Sequence, residues 1–340
     1  MAHCRYPAGV PPDEPSQDDA ANPPVSVVMP VRNEARHLAE SLGSVLGQDY
    51  PGEMEVVIAL GGSTDASREV AQRLVAREPR VRIVDNPTGR TPQALNAAIA
   101  ATRHPIVARV DAHGALPPDY LSTAVAILLR TGAANVGGRA VPRGVSRTQR
   151  AVALGMGSRL GMGGARFRVG GQAGPADTVF PGVFRREWLQ RVGGFSTDYE
   201  RAQDWEMNLR IRQAGGLVWF SPDVCVTYRP RGSLRGLAAQ FFATGQWRRR
   251  LAAEHRGALN ARYLAPPVVV ALVAGGAVGA AWWPPLALLP GGYALAVTVG
   301  GLTIAAHEPW PVRRKVPLVL ATMHLSWGAG FLVGVRPRRA

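Results

Sequence analysis

Residues 81–111 read VRIVDNPTGRTPQALNAAIAATRHPIVARVD, and the pattern in this stretch decides the fold. VRIVDN (81–86) and IVARVD (106–111) are short apolar runs of strand-forming residues, and the segment 91–102 between them reads as helix. The same alternation continues toward the N-terminus. VSVVMPV (25–31) is a buried strand, and 33–47 is helical, with Leu38, Leu42, Val45 and Leu46 at helical spacing. EVVIAL (55–60) is a strand, and GGSTDAS then turns into a helix with Ser63, Thr64 or Asp65 as its N-cap. Strands alternating with helices predict an α/β domain built on a mostly parallel sheet.

The flanks are less regular. Residues 1–24, rich in proline, aspartate and alanine, predict a flexible leader. Beyond the alternating region come the glycine-rich 155–174, a strand-like VFPGVF (179–184), a helix around 185–192, another at 203–214 and strand-like residues at 218–230. The net charge is +15, from 39 arginines and lysines against 24 acids, which predicts anionic partners. Lys315 is the single lysine. Arginine forks phosphate oxygens well, although a GC-rich genome gives the same bias. Cys4 and Cys225 make no disulfide framework, which fits a reducing compartment, and no secretory signal opens the chain.

From Leu264 to Ala306, 43 positions carry no charge. With about 20 residues needed per membrane helix, that run holds two spans, broken at Pro284–Pro285. Val316–Val335 is a third candidate, and a buried soluble hairpin is the competing reading. Trp282, Trp283 and Trp310 stand at the ends as interfacial anchors would. Arg248, Arg249, Arg250, Arg256 and Arg262 precede the first span, and Arg313, Arg314 and Lys315 follow the second. The positive-inside rule then keeps residues 1–263 cytoplasmic, whereas three spans would carry the tail RPRRA outside, so either the third segment is re-entrant or the rule fails there. The expected organisation is a leader (1–24), a catalytic domain (25–235), an amphipathic interfacial segment (236–263), a transmembrane region of two to three spans (264–335) and a basic tail (336–340).

The chemistry gathers where strands end, because open α/β sheets bind ligands beyond the carboxyl ends of their strands. Asp111 and His113 follow IVARV directly. A carboxylate and an imidazole at that spacing grip a divalent cation such as Mn²⁺ or Mg²⁺, or simply shape a turn.

Five motifs in order, VSVVMPVRNE, NPTGRTPQALNAAIA, VDAHG, GVFRREWLQRVGGF and QDWEMNLRIRQAGG, resemble the inverting family 2 glycosyltransferases, from about Val25 to Arg250. Within that family the chain is most similar to the membrane glucosyltransferases of succinoglycan-type exopolysaccharide synthesis. The resemblance implies a GT-A fold, Rossmann-like, and transfer from a nucleotide-diphosphate sugar, UDP-linked by preference, to a polyprenyl-linked or polysaccharide acceptor. It implies a cytoplasmic catalytic domain on the bacterial inner membrane, with the lipid bilayer as a partner. Donor contacts are then Pro30, Arg32, Glu34, Arg90, Asn96 and Asp111, with Asp111 and His113 as metal ligands. The acceptor side is Gly182, Arg185, Trp205, Trp247 and Arg248, and Asp204 is the general base. A helix cap is the plain alternative for Asp204, and Glu206 is a weaker candidate base.

One departure stands out. The family carries an acidic residue after its second strand to read the nucleobase, and here Leu60 and Gly61 occupy those places. A sugar nucleotidyltransferase is the rival enzyme class, but its lysine-containing glycine-rich signature is missing. An inactive glycosyltransferase-like scaffold is the non-enzyme rival. No zinc spacing or nucleic-acid motif appears, so no nucleic-acid partner is expected.

Overall fold

The computed structural model describes residues 22–255, 257–258 and 260–335. The expected leader apart from 22–24, Cys4, Arg256 and the tail 336–340 lie outside the described residues.

The chain opens with β1 (Val25–Val31), α1 (Leu38–Leu46), β2 (Met54–Gly61), α2 (Ser67–Val75), β3 (Val81–Asn86), α3 (Thr91–Ala100), β4 (Ile106–Arg109), α4 (Tyr120–Thr131) and β5 (Asn135–Pro142). Three helices follow, α5 (Arg147–Gly157), α6 (Arg159–Met162) and α7 (Arg166–Val169). The chain then returns with β6 (Gly174–Pro175), β7 (Val183–Arg185), α8 (Arg186–Arg191), α9 (Gln203–Gln213) and β8 (Val218–Tyr228). It ends in α10 (Leu234–Glu254), α11 (Ala265–Gly279), α12 (Leu288–Ile304), α13 (Trp310–Arg313) and α14 (Val316–Val333).

All eight strands form one sheet in the order β3-β2-β1-β4-β7-β5-β8-β6. β1 to β4 run parallel, with Val27 opposite both Val56 and Ala108, and Ile58 opposite Ile83. β7 enters antiparallel to β4, with Val107 opposite Phe184. Helices cover both faces of the parallel part, which is why β1 and β2 are apolar along almost their whole length. One core holds Val27, Met29, Leu42, Ile58, Ala108 and Leu121, and the other holds Val28, Val57, Leu95, Val107 and Met207. The parallel strands therefore deliver residues 32–34, 62–65 and 111–113 beyond their carboxyl ends, where candidate residues cluster.

The chain divides into two compact units: residues up to Val141 with Gly170–Tyr228, and Pro142–Val169 with the residues from Arg229 on. Residues 142–169 thus belong with the C-terminal helices, not with the sheet as the linear boundaries suggested. Their apolar faces find partners far along the chain. A side chain at Gly155 would press Val319 at 2.8 Å, and Lys315 Nζ donates to Thr148 Oγ1 at 2.9 Å.

In this second unit glycines let helices touch. A Cβ on Gly276 of α11 would meet Leu289 of α12 at 2.8 Å, and one on Gly301 of α12 would meet the Pro317 nitrogen of α14 at 2.8 Å. Gly245 of α10 lies on the Trp327 carbonyl, and Gly330 of α14 on the Phe242 carbonyl. Among the described residues, two segments are long and apolar enough to cross a membrane, Pro284–Ile304 with 21 residues and Trp310–Val333 with 24. α11, with 15 residues, is shorter than the expected first span, about 22 Å at helical rise.

Candidate active site

Backbone and side chain of Asp111 have separate partners. Gly114 N donates to the Asp111 carbonyl at 2.8 Å, so the segment is a turn. The side chain is free of that turn and points to a different partner. Arg109, the last residue of β4, holds its guanidinium almost wholly buried, with 4% exposure. Its Nε donates to Asp111 Oδ1 at 3.1 Å, and its NH1 donates to Asp204 Oδ1. One buried arginine therefore joins the proposed metal-side carboxylate to the proposed base, although 95 positions separate Arg109 from Asp204. The Phe180 ring lies 5.5 Å from the guanidinium carbon, a cation–π distance. The Arg109 N–H donates to the Gly182 carbonyl at 3.0 Å, which fixes the backbone beneath the fork.

This arrangement splits the two acids. Burial raises the Asp111 carboxyl, but the charges of Arg109 and then His113 outweigh it and leave Asp111 below the usual range. For Asp204 burial wins over the pull of Arg109, and the nearby Asp111 adds to the rise, so its carboxyl lies above the usual range. Two carboxylates with opposed shifts at one site suit separate roles, one permanently ionised and one able to take a proton.

Asp204 sits in the first turn of α9, and that helix is capped by Ala202 at φ 63 with no side-chain cap bond. The helix-cap alternative is therefore not the role the residue fills. Trp205, its half-buried neighbour, belongs to the same turn. Glu206 is buried at 2% exposure and bound by Arg210, whose NH2 also reaches the Gly194 carbonyl at 2.8 Å. That makes Glu206 a structural ion pair, not a base.

The loops after β1 and β2 are stitched together. Asn33 N donates to Ser63 Oγ at 3.0 Å, and Thr64 N donates to Asn33 Oδ1 at 2.8 Å. Glu34 N donates to Ser67 Oγ at 2.7 Å, and Ala35 N to Asp65 Oδ2 at 3.1 Å. Asn33 takes φ 56, a left-handed conformation that asparagine tolerates well. The Glu34 carboxylate lies 3.2 Å from His113 Nδ1, so the first loop meets the turn after β4. Pro30, half-buried, is the penultimate residue of β1, and Arg32 NH1 donates to the Gly89 carbonyl at 3.2 Å. Arg90 pairs with Glu200 at 3.3 Å. Leu60 is buried, and a side chain at Gly61 would crowd Gly89 at 3.2 Å.

Four expected contacts are corrected by their surroundings. Asn96 donates through Nδ2 to the Phe195 carbonyl at 2.7 Å and accepts from Phe195 N at 2.8 Å, so both ends of its amide hold backbone, not donor. Arg185 pairs with Ile106 at the far end of β4 from Asp111. Its fork donates to the Leu128 and Ala133 carbonyls at 3.2 Å, closing the end of α4. Gly182 is required by packing, since a Cβ there would enter the Phe184 ring. Arg248 is buried within α10's own unit, its guanidinium 3.5 Å from the Tyr263 ring centre and donating to the Ala258 carbonyl at 2.9 Å. Trp247 stacks beneath Arg250 at 5.3 Å in the same helix.

Arg109 is the residue that sequence reasoning passed over. Its signal was present: a lone charge inside IVAR, a strand otherwise apolar and buried. A buried arginine needs an acid, and the acid is not local.

Comparison with known proteins decides the family. The model for "Glycosyl transferase family 2" matches residues 26–193, and the chain is 32% identical to the succinoglycan biosynthesis protein ExoA of Rhizobium meliloti over 319 residues, 93% of this chain and 96% of that one. The chain belongs to glycosyl transferase family 2. Among solved structures, the mannosyltransferase PcManGT of Pyrobaculum calidifontis, in complex with GDP-Man and Mn²⁺, superposes with a TM-score of 0.62 at 23% identity, covering 89% of this chain and 86% of that one. TarS of S. aureus, residues 1–349 with UDP-GlcNAc, superposes at 0.50 with 15% identity, over 91% and 90%. These likenesses carry the fold, and the sheet described above is the GT-A arrangement. As a family 2 member the protein is a glycosyltransferase, and the nucleotidyltransferase reading is set aside.

Proposed function

We propose that this family 2 glycosyltransferase is membrane-anchored and inverting. It moves a sugar from a nucleotide-diphosphate donor to a lipid-linked or cell-envelope polysaccharide acceptor, with Asp204 as general base. The observation that carries the reading is the Arg109 fork, which puts Asp111 and Asp204 at one place. A donor reaching Asp111 with its diphosphate thereby presents its sugar toward Asp204.

In the transfer, Asp204 accepts the proton of the acceptor hydroxyl while that oxygen forms a bond to the anomeric carbon. The bond from that carbon to the diphosphate breaks, and the nucleoside diphosphate leaves with the electron pair. Displacement from the face opposite the leaving group inverts the centre, turning an α-linked donor into a β-linked product. The raised Asp204 carboxyl brings the base closer to operating pH, where general base catalysis contributes roughly 10²–10⁴-fold.

A divalent metal fits the donor end. The Asp111 carboxylate is held ionised and feels the His113 ring, and this oxygen-plus-imidazole pair suits Mn²⁺ or Mg²⁺. No group of three or more histidine, cysteine or acidic side chains is poised for a metal among the described residues, so Asp111 and His113 would hold a metal only together with ligands from the donor or solvent. Such a metal supplies Lewis-acid stabilisation of the departing diphosphate. Arg32, Glu34 and Arg90 line the donor loops. UDP sugars are the first donors to test, with GDP sugars beside them, since the structural neighbours hold UDP-GlcNAc and GDP-Man. The replacement of the base-reading acid by Leu60 and Gly61 leaves nucleobase recognition to backbone groups and to Arg32.

Anchoring rests on the exposed apolar surface of α11 and α12, where Val268, Leu272, Leu295 and Val299 face outward. A patch of that kind on a helical hairpin calls for lipid. Trp282 and Trp283 stand exposed at its turn, as aromatic belts do. An acceptor from the cell envelope is supported by the likeness to ExoA over nearly the whole chain.

The test is purified Asp204→Asn protein, for which donor binding is retained and transfer is lost. Transfer at the wild-type rate refutes the base assignment. Asp111→Ala removes metal-dependent donor turnover, read as released nucleoside diphosphate across a donor panel.

A further inference from the structure

α14 is apolar and long enough to cross a bilayer, but its neighbours are the wrong ones for a span. At its start, Lys315 donates to Thr148 in the first turn of α5. One turn on, Val319 and Met323 lie against Gly155 of α5, and a Cβ added at Gly161 of α6 would meet Met323 at 3.0 Å. Midway, His324 Nε2 is 2.8 Å from the Leu160 carbonyl of α6. In its last turns Gly330 meets the Phe242 carbonyl of α10. Past its end, Gln246 Nε2 of α10 donates to the Gly334 carbonyl at 2.8 Å, and Arg249 donates to the Leu332 carbonyl.

The helix is therefore tied from first residue to last to α5, α6 and α10. Those helices carry Arg147, Arg150, Arg159, Arg248, Arg249, Arg250 and Glu254. A crossing α14 would drag these charges through the hydrocarbon, where each is strongly disfavoured. The contacts with the hairpin agree. α14 touches α12 near that helix's end, Gly301 on Pro317, and touches α11 near its beginning, Gly328 on the Pro266 carbonyl. These two points are the open ends of the hairpin, and between them His324 Nδ1 reaches the Tyr293 hydroxyl of α12 at 3.2 Å, so α14 crosses the hairpin obliquely from one open end to the other.

We infer that α14 lies in the plane of the membrane surface, seated by its outward face on the acyl–headgroup boundary of the phospholipid bilayer, and does not cross it. This inference rests on the membrane-anchored reading above. Along the outward face, Leu318 at 58% exposure and Leu332 at 50% continue the apolar surface of α11 and α12. The inward face buries Val319, Leu320, Met323 and Trp327 against the polar helices. A helix apolar on one face for lipid and apolar on the other for protein has the composition of a span without being one. Both ends of α14 then emerge on one side, and the arginines and lysine at 313–315 and the arginines at 336, 338 and 339 share the cytoplasmic face with Arg248–Arg250. The conflict between the tail and the positive-inside rule disappears.

The test uses the full chain with Cys4→Ser and Cys225→Ala, carrying one reporter at a time: Arg314→Cys before α14, Ala340→Cys after it, and Trp283→Cys at the hairpin turn. Membrane vesicles of both orientations are treated with an impermeant maleimide. Labelling of both Arg314→Cys and Ala340→Cys in inverted vesicles alone supports the inference. Labelling of these two reporters from opposite sides overturns it, whatever the hairpin does. Trp283→Cys reports the hairpin separately. Protein released from the vesicles by alkaline carbonate, with all three reporters labelled in either preparation, overturns the membrane reading itself and this inference with it.

Discussion

Replacing Arg109 by methionine tests the core of the site. The substitution keeps most of the side-chain volume and removes the one positive charge that faces both Asp111 and Asp204. Removing one partner from a buried ion pair costs about 3–5 kcal/mol, because the charge left behind has neither water nor a counter-ion. Both carboxylates here keep about a fifth of their exposure, 20% and 22%, so they recover some hydration and the lower end applies. A loss of about 3 kcal/mol in a unit of this size lowers Tm by roughly 6–12 °C.

The pH dependence has a definite sign. In the variant both carboxyls move up, and a group whose folded pKa exceeds its unfolded value stabilises below the unfolded pKa and loses that contribution as pH rises through the folded one. The Tm deficit is thus largest near neutrality and narrows on acidification toward about pH 4, where both groups take protons. Thermal unfolding of the purified protein across pH reads this directly. Adding Asp111→Asn and Asp204→Asn to Arg109→Met restores most of the lost stability, since the uncompensated charges are gone. An unchanged Tm at neutral pH, or a triple variant less stable than the single one, refutes the reasoning.

Asn96→Ala leaves the Phe195 backbone N–H and carbonyl without partners and lowers stability by about 1–3 kcal/mol, with donor affinity by calorimetry unchanged. Arg185→Met lowers Tm by releasing the Leu128 and Ala133 carbonyls, while the acceptor KM stays as it is. Glu55, buried by the sheet, is held down to about 2 although burial alone would raise it, because Ser26, the Arg103 N–H, Arg82 and His104 favour its charge. Its folded pKa is depressed, so its contribution is complete above the ordinary glutamate range and is lost as pH falls through about 2. Glu55→Gln flattens the acid limb of the stability profile.

The parallel half of the sheet was legible because each strand–helix unit announces itself within about thirty residues, by an apolar run, a turn and a helical repeat. The helix that carries Asp204 was legible by likeness of QDWEMNLRIRQAGG to a known motif. Arg109 was not, because no local pattern tells a buried arginine which distant acids receive it. Asn96 and Arg185 misled for the opposite reason: both sit inside motif-like segments, and only the fold shows their side chains committed to backbone at Phe195 and at the end of α4. α14 shows a limit of hydropathy itself. An apolar helix records that it avoids water on all sides, and whether lipid or protein does the excluding depends on α5, α6 and α10, up to 170 residues upstream.

The interlocked loops after β1 and β2 bear on how donor preference can be altered. Asn33 and Asp65 clasp the two segments across 30 residues of chain, with Ser63 and Ser67 closing the weave. A transplant of the 60–65 segment from a relative with different nucleotide taste would arrive without its matching hooks. Residues 33–35 have to travel with it, so evolutionary drift in this corner is expected to proceed by paired exchanges, not by single steps.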